Sequence, residues 1–165
     1  MNAAYAHIAL NHLPIVGFPI VLVFLVYALI RRNEGARRFA LGVLIFVVVM
    51  GALVYFTGEP AEEVLEKFQS VSEAAIEPHE EAAEVALILM CVTGVLALGA
   101  LLWRAKERAL SGLTLLAGIA TAASLGYTAK MGGPIHHPEI TGEAPPVGAS
   151  PDSKENPAKD AEDEE

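Results

Sequence analysis

Residues 13–30 read LPIVGFPIVLVFLVYALI, and residues 31–38 continue RRNEGARR. The first stretch carries no charge, and at 1.5 Å per residue a helix of that length spans roughly 27 Å, enough to cross the hydrocarbon core of a bilayer. A cleaved leader is not expected. No basic residue precedes the stretch, and arginines follow it where a small-residue cleavage site would stand. It reads as an anchor that stays in the membrane.

Working outward, residues 39–57, 85–103 and 109–129 are apolar stretches of similar length. Four such segments predict an all-α integral membrane protein, a four-helix bundle over residues 1–138. Bulk composition agrees. Of 165 residues, 53% are hydrophobic, and the mean hydropathy of +0.44 is too high for an ordinary water-soluble domain. Between helices two and three, AEEVLEKFQSV places Val64, Leu65, Phe68 and Val71 at helical spacing among glutamates, predicting a short external amphipathic helix. Gly58 followed by Pro60 predicts the stop of helix two, and Pro78 suits the first turn of helix three. Residues 139–165 are rich in proline and acid without apolar periodicity, predicting a disordered acidic tail. Cys91, the single cysteine, reads as a small buried hydrophobe. In helix four, Gly118, Ala122 and Gly126 recur every four residues, a spacing that lets a neighbouring helix or a flat ligand come close.

Charge placement orients the helices. RRNEGARR and RAKER, residues 104–108, are short basic loops that fall on the same side of a four-helix serpentine, which makes that side cytoplasmic. In a bacterium both termini then face the periplasm or exterior, and the protein resides in the inner membrane. The net charge of −9 comes mostly from the acidic segments on the outer side.

With the topology fixed by Arg and Lys alone, all five histidines fall on the outer side, near helix ends: His7, His12, His79, His136 and His137. Imidazole is the commonest ligand of metals and of haem, and it titrates near neutral pH. Two chemistries follow. In one, a b-type haem lies between helices and serves electron transfer, with His12 and His79 as axial pair and His7 with His136 or His137 as a second pair. Gly17, Gly126, Gly132 and Gly133 would give the macrocycle room. In the other, a divalent metal is bound or transported through His12, His79 and Glu80 or Glu81, with Glu59 and Glu139 as further carboxylates. His7 and His12 stand about 140° apart on a regular helix, so they do not form an i,i+4 clamp. Adjacent His136 and His137 would point apart in an extended segment. Each histidine taken alone also reads as an interfacial polar residue.

A third reading is an accessory subunit of a membrane complex. A pore would need polar groups through the bilayer, and helix four supplies little beyond single hydroxyls such as Thr114, Thr121 and Ser124. No nucleophile–base pair, phosphate loop or basic nucleic-acid patch is evident. The expected partners are membrane lipid and other membrane or periplasmic redox proteins, and the expected role is a redox carrier or subunit.

Several of these residues resemble a known pattern. HIALNHLPIVG, with His7, His12 and Pro14, resembles the opening of the bacterial four-helix transmembrane family of unknown function called domain of unknown function 2231. Ile8 stands where that family usually has proline, and Leu13 where it has phenylalanine. TGEPAEEVLE and EPHEEAAE are similar to its Thr-Gly end of helix two and the histidine leading helix three, His79. GYTAKMGGPIHHPE is similar to its closing segment, with Gly132, Gly133 and either His136 or His137. The resemblance spans residues 6–139. It implies a four-helix membrane fold and supplies no activity.

Overall fold

A computed structural model describes residues 3–68 and 73–136, with backbone alone at 65–68, 73–75 and 136. Five α-helices follow one another: α1 (Ala3–Ile30), α2 (Glu34–Tyr55), α3 (Gly58–Phe68), α4 (Glu73–Leu102) and α5 (Glu107–His136). One turn of 3-10 helix, Arg104–Lys106, precedes α5. The four long helices each hold a span long and apolar enough to cross a membrane. The chain is an all-α, multi-pass four-helix bundle.

The helices overrun their apolar windows at the histidine-bearing end. The hydrophobic stretch starts at residue 13 but α1 starts at Ala3; α4 starts at Glu73 rather than 85; α5 continues to His136 rather than 129. Apolarity marks where hydrocarbon lies, whereas alanine, leucine and glutamate in AAYAHIALN and EAAIEPHEEAAE sustain helix beyond it. His7, His12 and His79 therefore sit inside helices instead of leading into them. Pro14, Pro19, Pro78 and Pro134 also lie within helices, so Pro78 is not a first-turn residue. Gly58 does not end α2 but opens α3. The cap of α2 is Phe56, whose amide bonds back to Ala52 and Val54, followed by Thr57, whose hydroxyl donates to the Val54 carbonyl at 2.6 Å.

The α1–α2 turn is a Schellman-type closure. Asn33 N–H reaches the Ala28 carbonyl at 3.0 Å and Arg32 N–H the Leu29 carbonyl at 3.3 Å, with Arg32 left-handed at φ 49°, where glycine is usual. Asn33 then caps α2, its side chain accepting from Ala36 N–H at 3.0 Å.

Packing follows a ring: α1 lies on α2 and α5, and α4 lies on the same two helices, so α1 and α4 face each other across the bundle. The short α3 folds against α1; of its expected apolar stripe, Val71 lies outside the described residues, as does the 139–165 tail. Phe18, Leu25, Leu41, Leu44, Ala97 and Ala100 form the fully buried centre. Only 28–33% of each spanning window is buried inside the bundle, which leaves residues such as Phe24, Phe39, Phe46 and Val95 to meet lipid acyl chains. Cys91 is exposed on this outer face, contrary to the expectation of burial. Inside, the Thr93 hydroxyl donates to Thr121 Oγ1 at 2.9 Å while Thr121 donates to the Ala117 carbonyl, so no hydroxyl of this pair is stranded in hydrocarbon.

The arginine-bearing end is tied by charge. Arg37 grips Glu107 through Nε and Nη2 at 3.2 and 3.0 Å. Arg38 reaches Glu107 Oε2 at 3.4 Å and the Leu101 carbonyl at 3.2 Å. Two of the four arginines of RRNEGARR thus also join α2, α4 and α5.

Candidate functional site

At the opposite end the bundle is hollow. A cavity of about 510 Å³ opens between all four long helices, within the range of small-molecule and cofactor pockets, roughly 300–1,000 Å³. Its walls repeat at helical spacing. From α1 come His7, Asn11 and Pro14, with His12 beside them; from α4 come His79, Ala83, Ala86 and Met90. On α4 the wall runs eleven residues, roughly 16 Å at the helical rise. Gly51 of α2 and Leu125 of α5 close the floor with Met90.

Each cavity histidine is fixed through the same ring nitrogen. His79 Nδ1 lies 3.0 Å from the Thr128 carbonyl, and His12 Nδ1 lies 2.9 Å from the Ile8 carbonyl. A carbonyl can only accept, so both rings carry their proton on Nδ1. His7 Nδ1 lies 2.8 Å from Thr57 Oγ1. That hydroxyl gives its own proton to Val54, so it too accepts from the ring. In all three imidazoles Nδ1 is thus the anchored donor. For His12 and His79, no described residue hydrogen-bonds Nε2. Anchoring one ring nitrogen to a carbonyl while the other is offered is the usual support of a ligating histidine.

Gly132 makes the His79 anchor geometrically feasible. A Cβ there would lie 3.0 Å from His79 Cε1 and 3.1 Å from Nδ1. The imidazole therefore lies directly on the backbone of α5.

The expected site residues separate on this geometry. His7, His12, His79, Gly132 and Gly133 share the cavity. Gly17 does not line it: a Cβ there would meet Val47 at 3.3 Å, so its role is the close approach of α1 to α2. Gly126 does not line it either, and a Cβ added there would meet nothing within 4 Å. Gly118, by contrast, is filled by Leu22, whose Cδ2 would stand 2.6 Å from a Cβ, which is helix packing rather than a ligand groove. His136 closes α5, and His137 and Glu139 lie outside the described residues.

The carboxylates lie elsewhere. A second hollow, about 600 Å³, adjoins the first through His7, Tyr55, His79 and Ala83, and it is lined by Glu59, Glu62, Glu77, Glu80, Glu81 and Glu84. Glu80 is thus on the wall of His79 but not in the cavity that His12 lines. Among the described residues, no group of three or more His, Cys, Asp and Glu is placed to hold one metal ion.

Residues not singled out from sequence complete the site: Asn11, Met90, and the anchors Thr57 and Thr128. Asn11 was legible in principle, one turn after His7 and three residues before Pro14. Asn11 Oδ1 is shut off from solvent with no hydrogen-bond partner among the described residues.

Compared with known protein families, curated proteins and solved structures, the chain matches none. The resemblance noted above rests on its quoted residues alone.

Proposed function

We propose that the chain is an electron-transfer membrane protein that holds a b-type haem in this cavity, between His12 of α1 and His79 of α4. The observation that carries the reading is the common Nδ1 anchoring of His12 and His79, which leaves Nε2 without a hydrogen-bond partner among the described residues on each of two facing helices that line one cavity. Bundle cofactor sites are built in this way, from side chains on facing helices. Haem needs one or two imidazoles, whereas a protein-held divalent metal usually takes three or more protein ligands, which favours haem over the metal reading here. When bound, haem supplies a one-electron iron centre. The chain's part is to present the two imidazoles in fixed orientation, to let the ring approach past Gly132 and Gly133, and to keep water from the floor at Leu125 and Met90.

The basic loops favour a cytoplasmic arginine end. On that orientation the cavity opens toward the periplasmic side of a bacterial inner membrane. Redox partners there or within the membrane would exchange the electron.

The test is a dithionite-reduced-minus-oxidised absorption spectrum of the detergent-purified protein. Sharp reduced α and Soret bands are expected, and each of His12→Ala and His79→Ala should remove them. Bands that survive in both variants refute the ligand pair. A flat spectrum with stoichiometric zinc or iron by elemental analysis turns the reading to a metal protein. Neither signal leaves the accessory-subunit role.

A further inference from the structure

The arginine-bearing end carries more positive charge than its ion pairs consume. Residues 31–38 and 104–108 hold seven basic side chains against two carboxylates, Glu34 and Glu107. Glu107 is buried and shared by Arg37 and Arg38, so two guanidiniums face one negative charge. Glu34 meets Arg104 at 3.7 Å, with both side chains more than half exposed. A pair of that kind is weak and leaves Arg104 able to turn elsewhere. Arg31, Arg32, Lys106 and Arg108 are exposed, and their side chains have no ion-pair or hydrogen-bond partner among the described residues. The Arg104–Glu34 contact sets the α1–α2 turn beside the α4–α5 turn. Arg32 stands two residues from Glu34, at most about 7 Å of chain. The unpaired cations therefore share one rim.

Exposed hydrocarbon ends where this charge begins. Ile30 precedes Arg31, Phe39 follows Arg38, and Leu102 and Trp103 precede Arg104; all four apolar side chains are 66–74% exposed. A phospholipid whose acyl chain lies on them brings its phosphate to the height of the cations. Phosphate oxygens match the guanidinium fork. A headgroup of net negative charge gains from the surplus, whereas phosphocholine carries its own cation into it. From these features we infer that the rim binds the headgroups of anionic phospholipids, with acyl chains against Ile30, Phe39 and Trp103. This inference does not rest on the haem reading, which concerns the opposite end of the bundle.

Trp103 is the single tryptophan of the chain, so its fluorescence reports this rim alone. Full-length protein is reconstituted into phosphatidylcholine bilayers, and the fluorescence is quenched with brominated phosphatidylglycerol or brominated phosphatidylcholine at the same mole fraction. One basic residue near an anionic headgroup is worth about fivefold in affinity, so phosphatidylglycerol should show an apparent affinity at least about fivefold higher. Arg31→Gln, Arg32→Gln, Lys106→Gln and Arg108→Gln combined spare Trp103 and the Glu107 tie, and should bring the two lipids level. If the combination does not fold, the pair at 31 and 32 and the pair at 106 and 108, made separately, should each lower the preference. Equal quenching by the two lipids, or a preference untouched in these variants, overturns the inference. Glycerol phosphate at the total concentration of the brominated lipid should leave the quenching unchanged; relief of quenching would assign the rim to a soluble phosphate compound and overturn the lipid assignment.

Discussion

Replacing Gly132 by alanine sets two known effects against each other. In an α-helix interior, Gly→Ala stabilises by roughly 0.5–1 kcal/mol through backbone entropy. At this site the new Cβ would stand 3.0 Å from His79 Cε1 and 3.1 Å from Nδ1, inside ordinary van der Waals contact. The imidazole must retreat by some tenths of an ångström. The retreat stretches its 3.0 Å bond to the Thr128 carbonyl, and a lost hydrogen bond of this kind costs about 0.5–1.5 kcal/mol. The two effects nearly cancel, so Gly132→Ala should leave stability within about 0.5 kcal/mol of the parent while displacing His79. Gly126→Ala, with nothing within 4 Å of its Cβ position, should show the propensity gain alone. Thermal unfolding in detergent, followed by circular dichroism, measures both. Nitrogen NMR of labelled histidine reads the ring: the parent should show His79 protonated at Nδ1, and Gly132→Ala should perturb that resonance. Equal stabilisation in the two variants with an unmoved His79 signal would refute the idea that the missing side chain seats the imidazole.

Other expectations follow from the same contacts. Glu107→Gln removes the charge that pairs with buried Arg37; breaking a buried pair from one side costs about 3 kcal/mol or more, and a clear fall in the unfolding temperature should show it. Arg32→Gly relieves a left-handed residue at φ 49° and should stabilise by about 0.5–1 kcal/mol, with a loss of stability counting against the turn geometry. Thr57→Val takes away the acceptor of His7 Nδ1 and should cost about 1–2 kcal/mol, and the His7 Nδ1 proton resonance should shift in the same variant.

The sequence displays the spans plainly and the helix ends poorly. Hydropathy locates residues 13–30 because lipid selects for it, but it is silent on Ala3 to His12 and Glu73 to Glu84, where helix propensity and tertiary packing keep the coil wound. The meeting of His7, His12 and His79 was readable as a shared end of the bundle, since counting basic residues assigns each helix terminus to a side. The Nδ1 anchoring of His7 and His79 was not, because it depends on Thr57 and Thr128, distant in sequence from the rings they anchor. The glycines illustrate the same limit. Gly118, Gly126 and Gly132 look alike in sequence, yet one admits Leu22, one faces nothing within 4 Å, and one seats an imidazole. Glu107, in a loop read only for its basic neighbours, turns out to be the buried partner of two of the arginines opposite.

The Arg37–Glu107–Arg38 tie gives the bundle the mechanics of a pair of tongs. From the Leu101 carbonyl to His79, α4 runs 22 residues, about 33 Å of lever arm. Because charge pins one tip and an open space occupies the far one, a tilt of about 5° around the pinned tip sweeps the distal arm by about 3 Å over that length.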